Sequence, residues 1–176
     1  MKYVSGLVLI AFVFGLVVID WGAPALADET PKVLEFKTMA GVSRPYTGGA
    51  NAIRGVSGGG LPWVLNSAKG ELRADGKLEV KVKGLVFDPN DPVVIERGLA
   101  GQNTVPEFRA VVSCQSVDGN GNATVINLAT APFPATTGLG AGDAEIKAYV
   151  PLPSPCIAPI IFVTNPAGAW FAATGQ

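Results

Sequence analysis

The 176-residue chain has no histidine, only two cysteines and few charged residues, which make up 15% of the sequence. Histidine is the most frequent general base in enzymes and the most frequent metal ligand, so its absence weighs against most hydrolases and zinc enzymes. Two cysteines without histidine are too few ligands for a structural zinc site. We therefore expect a protein with no catalytic residues, no metal site and no cofactor.

The sequence is also unsuited to long helices, because 22 glycines and 14 prolines are spread along it and both residues interrupt helices. Several segments alternate apolar and polar residues, as half-buried antiparallel strands do. Turn-forming clusters separate these segments at intervals of roughly eight to twelve residues. The pattern predicts an all-β fold, namely a single antiparallel β-sandwich that is immunoglobulin-like in outline.

The clearest alternation lies in residues 78–83 (LEVKVK), which follow a hairpin turn at 74–77 (ADGK). The segment FRAVVSC (108–114) alternates so that Cys114 points toward the core. APIIFVT (158–164) is apolar on both faces, which is typical of a strand covered from both sides. Further strands are predicted in VLEFKTMAGV, LPWVLNSA, NATVINLAT, AEIKAYVPL and AWFAAT.

The N-terminus has the pattern of a secretory signal peptide. Lys2 precedes an uncharged apolar run, Tyr3–Ile19, and the small-x-small motif Ala25–Ala27 follows. We expect a signal peptide over residues 1–27 and a secreted protein, extracellular or in the cell envelope. The alternative is an uncleaved membrane anchor, although a run of about 17 residues is at the short limit for spanning a bilayer.

The remaining chain is long enough for one domain with a real core. We assign residues 28–60 to an N-terminal strand and a glycine-rich loop, and residues 61–176 to the β-sandwich body. The glycine-rich part, 41–60, is interpreted as a flexible loop or an irregular arm. The net charge is −1, so no basic excess draws the protein to nucleic acid, and the membrane is a partner only through an uncleaved signal segment.

Cys114 and Cys156 are interpreted as a structural disulfide, because two cysteines in an exported chain normally pair. Neither has the neighbouring base that activates a nucleophilic thiol. The bridge is expected to join two nonadjacent strands, through the core or at its edge. One immunoglobulin feature is missing, because Trp63 precedes both cysteines and Trp170 follows both.

The aromatic residues suggest one candidate ligand platform, formed by Tyr149, Trp63 and Trp170 if they are exposed together. Core packing is the preferred interpretation for the two tryptophans. Tyr149 is predicted to point outward by alternation.

Other motifs are weaker. GVSGGGLPW lacks the Gly-Lys-Ser/Thr of a phosphate loop. DGNGN (118–122) lacks the later ligands of a calcium loop and fits a hairpin tip. FDPNDP (87–92) fits a second acidic turn. The remaining carboxylates fit solvated surface charge.

These observations favour a secreted, non-catalytic structural or interaction module whose partner is unknown, with a cell-surface glycan or protein as the candidate class. The alternatives are a β-sandwich that binds carbohydrate or a small ligand through exposed aromatics and, with less support, a carboxylate-dependent hydrolase.

Four segments carry a resemblance: RGVSGGGLPWV (54–64), SAKGELRADGKLEVKVKGLV (67–86), LPSPCIAP (152–159) and AWFAATG (169–175). In these segments the chain resembles a group of uncharacterised, small secreted bacterial proteins. The resemblance implies export and a β-rich fold, and it implies no activity, cofactor or site.

If the signal peptide is cleaved after Ala27, the secreted protein begins at Asp28. Intact-mass analysis of the protein from culture medium or periplasm should then show a chain of residues 28–176. A mass that includes the first 27 residues would instead support the membrane anchor.

Overall fold

The computed structural model describes residues 30–174, which form β-strands and one short helix. The predicted signal peptide lies outside the described residues. The elements are β1 (Lys32–Phe36), β2 (Ala40–Gly41), β3 (Trp63–Val64), β4 (Ser67–Arg73), β5 (Lys77–Lys83), β6 (Val86–Phe87), α1 (Pro92–Glu96), β7 (Gln102–Asn103), β8 (Glu107–Val117), β9 (Ala123–Ala129), β10 (Phe133–Pro134), β11 (Gly138–Leu139), β12 (Ala144–Tyr149), β13 (Ile157–Thr164) and β14 (Trp170–Ala173).

Two larger antiparallel sheets contain most of these strands. The four-stranded sheet has the order β1-β4-β5-β12, and the six-stranded sheet has the order β10-β8-β13-β14-β2, with β9 also paired to β8. Two small sheets, β11-β7 and β3-β6, complete the fold. Residues of both larger sheets belong to one buried apolar cluster. The prediction of an all-β protein with antiparallel sheets is therefore confirmed.

The β4–β5 hairpin shows how the sequence determines the four-stranded sheet. Leu78, Val80 and Val82 are buried, whereas Lys81 on the same strand is exposed, as the alternation predicts. The predicted turn is present, and Gly76 sits in it with φ +90°. A Cβ atom at Gly76 would lie 2.0 Å from the carbonyl oxygen of Val150, so no other residue fits this turn.

The six-stranded sheet is buried on both faces at its centre. Ile161 and Phe162 are consecutive in β13 and both have no exposed surface, although consecutive strand residues point to opposite faces. This confirms that the APIIFVT strand is covered from both sides. The four residues of β14 are buried as well.

Part of that cover comes from the glycine-rich segment. The Arg54 guanidinium donates to the carbonyls of Ser113 and Ala158, and the side-chain amide of Asn127 donates to the carbonyl of Arg54. Farther along, Gly58 forms a parallel bridge with Trp170. This segment therefore packs into the body and is neither a flexible loop nor an arm ahead of it.

The predicted disulfide is confirmed, because Cys114 and Cys156 are bonded and their Cα atoms lie 4.9 Å apart. The expectation that it joins nonadjacent strands is wrong. Cys114 lies in β8 and Cys156 directly precedes β13, and these strands are neighbours in which Gln115 faces Ile157. The bridge therefore ties two hydrogen-bonded strands of one sheet at the start of β13.

The one helix of the described residues, α1, follows the FDPNDP motif, which was interpreted as a turn. Asp91 caps it, because its side chain accepts hydrogen bonds from the backbone N–H groups of Val93 and Val94 at 3.1 Å. Pro92 occupies the first turn, where its missing N–H costs nothing. Within residues 30–174, no helix has the length and hydropathy needed to span a bilayer.

Removing the disulfide by replacing both cysteines with alanine should lower the free energy of unfolding by about 4 kcal/mol, because the 42-residue separation no longer constrains the unfolded chain. Urea denaturation of the variant and of the wild type, with and without reductant, measures this loss. Reductant should shift only the wild-type midpoint, and an unchanged wild-type midpoint would contradict the structural role.

Candidate functional site

The candidate aromatic platform is not assembled, because two of its three rings are core residues, as the preferred interpretation of the tryptophans predicts. Trp63 is 2% exposed and stacks against Phe171, with ring centroids 4.0 Å apart, and it also contacts Phe87 at 4.2 Å. Trp170 is 4% exposed because it lies in β14, which is covered on both faces. The two tryptophans therefore contribute to core packing.

Tyr149 is isolated from these rings. It is 72% exposed at the end of β12, where it faces Lys77 across the four-stranded sheet. No other large aromatic among the described residues has comparable exposure; the next, Tyr46, is 44% exposed. A single exposed ring does not make a stacking platform for a sugar.

Carboxylates and lysines line a shallow cavity of about 480 Å³ on the outer face of the four-stranded sheet. Lys32 lies 2.8 Å from Glu71, and this hydrogen bond is the main reason that the pKa of Glu71 is lowered. Lys147 likewise lowers the pKa of Glu145. A glycosidase needs a general acid whose pKa is raised. These two carboxylates have the opposite shift, so they are unsuited to that role.

The acidic turns have structural partners. Asp118 accepts hydrogen bonds from the backbone N–H groups of Asn120 and Asn122, which confirms the hairpin tip between β8 and β9. Asp88 accepts from the backbone N–H of Asn90. Across residues 30–174, no group of three or more acidic residues, cysteines or histidines is arranged to hold a metal ion.

Asp91 differs from the other acidic residues because it is buried, at 8% exposed, and forms an ion pair with Arg44. It was expected to be a solvated surface charge. The hydrogen bond from Arg44 lowers the pKa of Asp91, burial opposes that shift, and the backbone N–H groups of Val94 and Val93 lower the pKa further. The pair links the glycine-rich segment to α1, so its role is structural.

The most distinctive surface is the free edge of β9. In the described part of the chain, the backbone of β9 pairs only with β8, and its outer edge has no backbone partner. Its sequence, ATVINLA, contains no charge. The edge strands of the other large sheet are charged: β1 carries Lys32 and Glu35, and β12 carries Glu145 and Lys147.

Exposed apolar residues adjoin this edge. Val125 of β9, Gln115 of β8 and Ile157 of β13 form one row across the outer face of the sheet. Val125 is 42% exposed and Ile157 is 54% exposed. Val117, in the next row, is 46% exposed. The free edge is therefore continuous with an apolar margin.

Comparisons with protein-family models, curated proteins and solved structures find no significant match for this chain.

The charge of Asp91 should make stability depend on pH. Its folded pKa lies below the ordinary value of 3.8, so the charge stabilises the fold above about pH 4 and this contribution is lost as the pH falls through the folded pKa. Asp91→Asn keeps a capping side chain without the charge, and it should lower the Tm by roughly 3 °C at pH 7.

The difference in Tm between Asp91→Asn and the wild type should disappear at the lowest pH at which the protein still folds, where Asp91 is protonated. Asp88→Asn is the matched control, because Asp88 accepts one hydrogen bond in an exposed turn, and it should have little effect. A Tm difference for Asp91→Asn that is constant with pH would contradict the role of the charge.

Proposed function

We propose that the chain is an exported, non-catalytic structural module, a single β-sandwich that is immunoglobulin-like in outline and assembles through the free edge of β9. The observation that carries this proposal is the absence of charge on that edge. An unpaired strand edge is a template for another strand, and soluble proteins normally protect it with charge, proline or a bulge. β1 and β12 have such charges, and β9 does not.

The proposed occupant of the edge is β9 of a second copy. An uncharged edge offers no electrostatic preference for a charged partner, and it is complementary to itself. Antiparallel pairing centred on Ile126 would place Val125 opposite Asn127 of the second copy and Thr124 opposite its Leu128. Each pair then points to one face, so the outer face of the six-stranded sheet continues across the two-fold axis.

The exposed valine next to the edge supports the same arrangement. Val125 would face the second copy's Asn127 in the same row as Gln115 and Ile157, and the apolar margin would be partly covered. The interface would consist mainly of backbone hydrogen bonds, as in other strand-addition complexes. Such an assembly fits a structural role and needs no ligand or cofactor.

Val125→Lys tests the proposal, because lysine on an edge strand opposes pairing with another edge. Sedimentation equilibrium of the mature protein over a wide concentration range should show a dimer for the wild type and a monomer for Val125→Lys. The association constant should fall by about tenfold or more, since two lysines enter one interface.

Val33→Lys is the matched control, because Val33 has a similar exposure of 39% and lies on the charged edge strand β1. This variant should associate like the wild type. A wild type that stays monomeric at the highest concentration, or equal loss of association in both variants, would refute assembly through β9.

A further inference from the structure

A second surface, separate from the aromatic residues, has the features of a ligand site. Arg109 of β8 lines a cavity of about 430 Å³ on the outer side of the six-stranded sheet. Its floor includes Val111 of β8 and Asn127 of β9. The glycine-rich segment at 55–57 and the turn at 167–169 form its sides. The volume is within the usual range of small-molecule pockets.

The side chain of Arg109 has no hydrogen-bonding or ionic partner in the described structure. Its Nε atom is buried and has no acceptor, and its guanidinium Nη2 lies against Gly168. By contrast, Arg44 pairs with Asp91, and Arg54 donates to two carbonyls. A partly buried guanidinium without acceptors loses hydration without compensation. A ligand that supplies acceptor oxygens would replace the lost hydrogen bonds of this guanidinium.

The remaining lining limits the charge of such a ligand. Arg109 is the one charged side chain lining the cavity, and the other residues are small, apolar or amide-bearing. One guanidinium matches the single charge of a carboxylate, with which it can form two parallel hydrogen bonds. A doubly charged phosphate would have a second charge without a partner there.

Polar groups next to Arg109 suggest the rest of the ligand. The side-chain nitrogen of Asn127 already donates to the carbonyl of Arg54, which leaves its side-chain oxygen to accept a hydrogen bond from a ligand. Ser57 also lines the cavity. Both residues have side chains suited to the hydroxyl or amide groups of a neutral polar body.

We propose that this cavity binds a small monocarboxylate with a neutral polar body, in which the guanidinium of Arg109 binds the carboxylate. A uronic acid and the C-terminal residue of a peptide both have this chemistry. All residues of this cavity belong to one protomer, but Asn127 also lies in the strand proposed to pair with a second copy, so the two proposals are tested separately.

The test is a titration of the ¹⁵N-labelled mature protein, observed at the side-chain Nε–H resonance of Arg109. One arm compares galacturonate with galactose, and the other compares N-acetyl-alanyl-alanine with its C-terminal amide. We expect a saturable shift with one or both acids at up to tens of millimolar and none with the matched neutral compounds. The arm that responds identifies the source of the carboxylate.

Arg109→Lys keeps the positive charge but cannot donate two parallel hydrogen bonds to a carboxylate, so it should weaken binding by about tenfold. Arg109→Gln removes the charge and should abolish binding. These variants are followed through the amide resonances of Asn127 and Ala129, which line the same cavity. Arg97→Gln, at an exposed arginine outside this cavity, is the control and should bind like the wild type.

Equal responses to acids and neutral compounds, or no response to either acid, would overturn the proposal. An equal response to inorganic phosphate would overturn the preference for carboxylate. If an Arg109 variant fails to fold, the comparison of each acid with its neutral counterpart on the wild type still decides. Repeating the titration on Val125→Lys separates this result from the oligomeric state.

Discussion

Two-sided burial of the six-stranded sheet is the constraint on which the rest of the structure depends. A sheet that is apolar on both faces needs cover on both sides, and the four-stranded sheet shares one core with it. The glycine-rich segment covers part of the outer face of the six-stranded sheet, and parts of this segment pack closely against each other. A Cβ atom at Gly58 would lie 2.0 Å from the carbonyl oxygen of Tyr46. The glycines here therefore permit close backbone packing.

The two proposed surfaces, the edge of β9 and the cavity at Arg109, lie where the glycine-rich segment stops covering the six-stranded sheet. The glycine-rich segment reaches β8 and the Asn127 side chain of β9 through Arg54, and it leaves the outer edge of β9 unpaired. Beside that segment, Arg109 remains in a cavity that the cover does not fill. An incomplete cover thus produces an open strand edge and an unpartnered guanidinium on one side of the protein.

Local patterns predicted the local structure well. Alternation identified β5, β8 and β12, and the ADGK turn and the DGNGN tip were predicted from their residues. The disulfide was predicted from the number of cysteines and the predicted signal peptide. Strand neighbours could not be predicted, because pairing depends on contacts between residues far apart in sequence. For that reason Cys114 and Cys156 were assigned to nonadjacent strands, although β8 and β13 are neighbours.

The site was less predictable than the fold. Core packing was the preferred interpretation for Trp63 and Trp170 from residue type, but the strands and rings that they contact could not be inferred. Asp91 appeared to be a surface charge because its partner Arg44 lies 47 residues away. The missing charges of ATVINLA were visible in the sequence, but their meaning required knowing that β9 is an edge. The isolation of Arg109 has no sequence signal.

The position of β14 has a consequence for how the chain reaches its folded state. This last strand lies between β13 and β2, and the glycine-rich segment bridges to it at Trp170. β2 and the glycine-rich segment at Gly58 therefore acquire this neighbour only after the final strand has been synthesised. Before β14 has been synthesised, the six-stranded sheet cannot be completed. For an exported protein, as proposed above, this late closure would keep the chain able to pass through a membrane channel until its C-terminal region arrives.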